Sequence, residues 1–299
     1  MSMAATPPEL PHPELPYPKL PLWQAIGLAY STFFSRFEDV LRASWLWLIA
    51  VAALTGYASW QRWSLAMAVI GQVQPELFPS MTQLRQTTAL LQLGAALAIL
   101  AAVSIAVAWH RLMILDEQPG LSGSNITSGD LWHFVVIGFL LCVILIGPAL
   151  IVILGGFYLT VPATFGPNTV GPIAFIPLLL PAAAFYVIGL AVTLRLSLLL
   201  PARAIGNEDL SFGQAWHRTS GNTWRLFWGL IVTTLPPLLL TDLVVIALLD
   251  LAYPTLTATR IAAASMASTI CSLLLLPISI GFLSQAYRHF FEHPLQQTA

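Results

Sequence analysis

Apolar positions in this chain form long unbroken blocks, with no alternation of period two and no one-sided helical stripe. Six such blocks occupy residues 43–60, 89–109, 134–157, 173–194, 226–249 and 261–282. Each is close to the roughly 20 residues a helix needs to cross a hydrocarbon layer about 30 Å thick. Between Asp130 and Arg195 there is no Asp, Glu, Lys or Arg. A soluble layered fold, which needs a polar outer face, does not tolerate that. The block predicts a hydrophobic helical hairpin with its hinge at the helix breakers Gly155, Gly156, Pro162, Gly166, Pro167, Gly171 and Pro172, at the outer membrane face. The predicted fold class is an all-α membrane protein of about six transmembrane helices arranged as three hairpins, with short cytoplasmic interfacial helices.

Basic residues set the expected orientation, because cytoplasmic loops keep an excess of Lys and Arg. Lys19, Arg36, Arg42, Arg111, Arg195, Arg203, Arg218, Arg225 and Arg288 fall on one side of the predicted spans, against Arg62, Arg85 and Arg260 on the other. Both termini are therefore expected in the cytoplasm. Trp45, Trp60, Trp63, Trp109, Trp132, Trp224 and Trp228 cluster at the ends of the apolar blocks, where an amphipathic ring prefers the membrane interface.

Polar-aromatic segments precede the hairpins at 24–36 and 214–225, with a reduced version at 128–134 that offers Ser128 or Asp130 as an N-cap. Each even-numbered span is followed by an arginine, Arg111, Arg195 or Arg288, which suggests a parallel three-hairpin repeat. Ser211 with Gln214 three residues later fits a capping box. Gly221 and Asn222 can then end that helix before the fifth span. The stretch 61–88, with Pro75 and Pro79, reads as the one sizeable outer loop, carrying one or two short surface helices.

Composition agrees with this picture: 57% of the 299 residues are hydrophobic and 8% are charged, where a soluble domain carries about 25% charged residues. The net charge of −1 is spread singly, with no basic stripe for a nucleic acid. Residues 1–21 are proline-rich and lack the apolar core of a signal peptide, so they read as an extended cytoplasmic leader. Residues 22–291 form the polytopic domain and 292–299 a short tail. Cys142 and Cys271 lie in apolar blocks without paired spacing and are expected to be inert core thiols.

Candidate chemistry is sparse. Arg111, Arg195, His217, Arg218, Arg225 and Arg288 could grip an anionic lipid headgroup through forked or charged donors, although positive-inside anchoring predicts the same charges. His110, His133, His217, His289 and His293 are all expected at the cytoplasmic interface, without the spacing or carboxylates of a metal site. Asp242 is the acid well inside an apolar block. Counted from Arg225, it lies roughly 25 Å along its helix, towards the outer boundary. Pro148, Pro181, Pro236, Pro237 and Pro277 kink several spans, while Ala95, Ala96, Ala98, Ala101 and Ala102 and then 262–264 allow close helix packing. No phosphate-binding loop, nucleophile elbow, paired acid and base or dinucleotide fingerprint occurs, so an enzyme is the least favoured class.

The stretch from Ser211 through Gly213, Trp216, Arg218, Gly221 and Trp224 to Leu230 resembles the loop, helix and span of uncharacterised bacterial six-helix inner-membrane proteins. More distantly, it resembles the membrane domain attached to some glycerophosphodiester phosphodiesterases. The end of the second span, from Ala108 to Glu117, is similar to the corresponding stretch of the same group. The resemblance implies a bacterial inner-membrane location and a helical bundle. It carries no catalytic residue, since catalysis in the phosphodiesterases belongs to a separate soluble barrel. The expectation is a non-enzymatic inner-membrane protein with no cofactor that organises or senses lipid or a membrane partner, another protein or a second copy. The alternative is a small-solute transporter using Asp242 or Arg195 as a coupling residue.

Overall fold

The computed structural model describes residues 19–70, 80–120, 128–164, 176–250 and 257–292. The described elements are the helices α1 (Leu22–Ser35), α2 (Phe37–Ile70), α3 (Met81–Leu115), α4 (Gly129–Thr164), α5 (Ile176–Leu196), α6 (Leu199–Ala204), α7 (Phe212–Arg218), α8 (Thr223–Asp250) and α9 (Ala258–Phe291). Among the described residues, five stretches are long and apolar enough to cross a membrane: Phe37–Met67, Met81–Leu115, Gly129–Gly155, Thr223–Leu249 and Ala258–Phe291. Leu180–Leu196, within α5, is a shorter apolar helix. The chain is built as an integral, multi-pass membrane protein.

The short helices follow the sequence signals. α1 covers the segment expected before the first span, and α7 starts with the expected capping box: the Ser211 hydroxyl accepts from Gln214 N–H and the Gln214 side chain from Ser211 N–H. Gly221, at φ +74°, separates α7 from α8. Ser128 takes the N-cap role at α4, its hydroxyl accepting from Leu131 N–H at 3.3 Å.

Two loop predictions are corrected. Within the stretch 61–88, residues 61–70 and 81–88 are not loop: α2 runs on to Ile70 and α3 begins at Met81, while 71–79, with Pro75 and Pro79, lie outside the described residues. Nothing in 61–70 breaks a helix, and Ser80 with Gln83 forms a second capping box that starts α3. Nor does the chain turn at Gly155 and Gly156. α4 continues through them and through Pro162 to Thr164. A lipid-facing backbone has no water to bond to, so helix is kept despite the weak helix propensity of glycine. The remaining expected hinge residues, and most of the leader and tail, lie outside the described residues.

α9 is the axis of the bundle, packing against α1, α2, α3, α6 and α8, while α4 packs on α5 and α6. Its 34 residues extend about 50 Å at 1.5 Å per residue, more than a hydrocarbon layer needs, so its ends project. Burial concentrates at the end bearing Arg111, Arg195 and Arg288, called here the collar end. There Leu20, Phe33, Trp109, Leu199, Leu226 and Phe282 are all buried. The most apolar window of α4 is only 6% buried and that of α8 only 11%, against 39% for α9, so α4 and α8 offer most of their surface to lipid. Cys142 is exposed on α4 rather than packed in a core.

Two glycines let helices pack closely. Pro148 cannot bond the Ile144 carbonyl, and Gly189 of α5 packs onto that backbone so closely that a Cβ there would stand 2.7 Å from Ile144 O. At Gly229 of α8, a Cβ would fall 1.9 Å from the Phe282 ring, so the missing side chain is what lets Phe282 seat between α8 and α9.

Candidate functional site

Each arginine singled out as a headgroup candidate lies at the collar end and bonds within the protein. Arg111, at the end of α3, ties three elements. Its Nε lies 2.7 Å from Glu117 Oε2, and its NH1 lies 3.0 Å from Asp130 Oδ2 at the start of α4 and 3.3 Å from the carbonyl of Ala204 that ends α6. Arg195 stacks its guanidinium 3.5 Å above the Trp216 ring and donates to the Trp216 carbonyl. Arg218 donates to the Phe290 carbonyl at 3.3 Å and lies 5.0 Å from the Phe291 ring. Arg225 donates to the Leu20 carbonyl, and Arg288 pairs with Glu292 at 3.1 Å. Arg203 donates to the carbonyls of Asn207 and Leu210. Several of these acceptors are last-turn helix carbonyls, which have no intrahelical donor and carry the negative end of the helix dipole. The His217 side chain stays exposed, without a hydrogen bond or ion pair among the described residues.

The collar also contains partners that no motif announced. His110 is 1% exposed, so it is a packed side chain and not an interfacial one with a wet tip. Its Nδ1 lies 2.8 Å from Ser284 Oγ, and the Ser284 hydroxyl already donates to the Ile280 carbonyl, so His110 Nδ1–H is the donor. Trp109 is likewise buried, with its Nε1 beside Gly281, and does not sit in the interfacial belt. Asn222 accepts from Leu20 N–H at 3.0 Å while Arg225 takes the Leu20 carbonyl. The end of the proline-rich leader is thereby fixed to the start of α8, and the Leu20 side chain is fully buried. Tyr30 of α1 donates to the Val232 carbonyl at 2.9 Å, and burial raises the Tyr30 hydroxyl above its ordinary value, keeping the proton in place. His133 pairs with Glu208 at 3.2 Å, and His293 lies outside the described residues. Among the described residues, no three His, Cys, Asp or Glu side chains gather as a metal site.

Asp242 lies elsewhere, exposed in a groove of about 530 Å³ in the half of the bundle away from the collar. α2 contributes Thr55, Ala58 and Ser59; α3 contributes Leu91, Gly94, Ala95 and Ala98; α8 contributes Asp242, Val245 and Leu249; α9 contributes Ile261, Ala264, Ser265, Ser268 and Thr269. The sequence exposed Asp242 as a lone acid but gave no sign of the five hydroxyls around it. Serine and threonine are common in membrane helices, where they bond their own backbone, as Thr55 does to the Val51 carbonyl at 2.8 Å.

The groove is blind. One turn deeper, Trp47, Val51, Ala101, Ile105 and Leu273 form a buried cluster across α2, α3 and α9. A separate, smaller crevice of about 120 Å³ lies between α8 and α9 at Thr241, Thr233 and Ser279, and Phe282, seated against Gly229, lies beyond it. From there to the collar the centre is close-packed.

No protein-family model, curated protein or solved structure matches this chain.

Proposed function

We propose that the chain is a non-enzymatic protein of the bacterial inner membrane that binds a lipid in the Asp242 groove and holds it in the outer leaflet. In this reading α5 is a sixth span, the spans form three hairpins, and both termini are cytoplasmic. The excess of basic residues at the collar supports that orientation. The likeness of the stretch from Ser211 to Leu230 to six-helix inner-membrane proteins supports the location.

The observation that carries the proposal is the blind end of the groove. A transporter needs a site that can open to both faces, whereas this groove stops at the Trp47–Ile105–Leu273 cluster and at Phe282. The collar arginines act as a seal, bonding helix ends and carboxylates, with headgroup contact left to their outward-facing edges. Native mass spectrometry of the full chain, extracted gently from its membrane, tests the proposal. Wild type should retain lipid and Ala95→Phe, which fills the groove from an exposed position, should lose it. Equal retention by both would refute a lipid site in the groove.

A further inference from the structure

The groove is lined by one carboxylate and five hydroxyls. No Lys, Arg or His lines it, and Asp242 has neither an ion pair nor a hydrogen bond among the described residues. The Thr55 and Thr269 hydroxyls, 3.1 Å apart, share a hydrogen bond between α2 and α9 in which either can donate, and each oxygen keeps acceptor capacity beside the groove. Ser59, Ser265 and Ser268 add hydroxyls that can turn either way. An anionic headgroup placed here would meet a carboxylate and, among the lining residues, no counter-charge. A headgroup that ends in a primary ammonium would meet the carboxylate through charge-assisted bonds and the hydroxyl oxygens through further ones. A carboxylate held among apolar helices is costly without such a partner.

The flanks point to a lipid rather than a soluble amine. Leu93 and Ile99 on α3, and Leu239, Leu243 and Ile246 on α8, are exposed on the same helices as the groove residues. Acyl chains match that surface and a hydrated solute does not. Resting on the lipid-binding reading above, we infer that the Asp242 groove selects a lipid whose headgroup carries a primary ammonium, of the phosphatidylethanolamine type, over an anionic lipid.

The test is native mass spectrometry of the full chain in detergent. It is offered phosphatidylethanolamine and phosphatidylglycerol of identical acyl chains in equal amounts, with wild type, Asp242→Asn, Asp242→Glu and Ala95→Phe compared. Wild type should retain the ethanolamine lipid over the glycerol lipid by about tenfold, the ratio one charge-assisted contact supplies. Asp242→Asn should bring that ratio close to one, and Asp242→Glu should preserve most of it. An even ratio in wild type, or a preference that survives Asp242→Asn, overturns the inference. If both lipids bind equally and Ala95→Phe removes both, ammonium selection fails while the groove remains a lipid site. If Ala95→Phe changes nothing, both fail. Displacement of the lipid by an equal concentration of free ethanolamine would overturn the lipid assignment in favour of a soluble amine.

Discussion

The Tyr30 hydroxyl donates at 2.9 Å to the Val232 carbonyl, an acceptor that Pro236, four residues further along α8, has no N–H to serve. An interfacial helix thereby repairs a proline-broken span, and the two residues form a coupled pair. Tyr30→Phe should lower stability by about 1–2 kcal/mol, because a part-buried carbonyl loses its donor. In a Pro236→Ala background, where the helix can supply its own N–H, the same substitution should cost distinctly less. Thermal unfolding of the four proteins in one detergent measures this coupling. Equal losses in both backgrounds would mean that the tyrosine does not compensate for the proline.

Glycine substitutions should separate sharply by position. At Gly189 a Cβ would stand 2.7 Å from the Ile144 carbonyl and 3.1 Å from that of Leu145, both backbone atoms that cannot swing aside. Gly189→Ala should therefore push α4 and α5 apart and destabilise by about 1–3 kcal/mol, the usual range for overpacking. Gly27 in α1 has nothing within 4 Å of a built Cβ, so Gly27→Ala should be neutral or stabilising by about 0.5–1 kcal/mol. Melting temperatures of the two variants, side by side, check the contrast.

Ser284→Ala should remove the partner of a buried histidine. His110 is 1% exposed and its Nδ1–H points at Ser284 Oγ. The donor would be left dry, at a cost of about 1–3 kcal/mol. Ser284→Thr keeps the hydroxyl and should fall between wild type and Ser284→Ala, since its extra methyl must be packed at a residue with no exposed surface. The stability order of the three proteins on heating is the readout.

Asn222→Ala should free the end of the leader. It removes the acceptor for Leu20 N–H, whereas Arg225 still holds the Leu20 carbonyl. Limited proteolysis should cut the variant around Lys19 to Leu22 faster than wild type, with the transmembrane helices unaffected. Unchanged cleavage would show that the buried Leu20 side chain and the Arg225 bond hold it without Asn222.

Long apolar blocks made the spanning helices legible, because a hydrocarbon solvent demands them. Short motifs made α7 and its cap at Ser211 legible. The same logic applied at Ser80 and Gln83 would have shown that α3 begins before its apolar block. Gly155 and Gly156 misled because helix breakers act against a watery alternative that α4 lacks. The contacts that build the collar could not be read from sequence. In a helix that is apolar all round, no periodic stripe marks which face meets another helix, so pairs such as His110 with Ser284 or Tyr30 with Val232 carry no local signature. Asp242 stood out through its charge, but its neighbours Thr55, Ser59, Ser265, Ser268 and Thr269 come from two other helices and are unremarkable one at a time.

Cysteine accessibility tests the blind groove most directly. On a Cys142→Ser, Cys271→Ser background, single cysteines at Ser268, in the groove, and at Ser284, behind Phe282, would be exposed to a membrane-impermeant maleimide in intact cells and in inverted vesicles. The account predicts that Ser268→Cys labels from the periplasmic side only and that Ser284→Cys labels from neither. Labelling of Ser268→Cys from the cytoplasmic side, or of Ser284→Cys from the periplasm, would reveal a continuous path through the bundle and contradict a binding role in favour of transport.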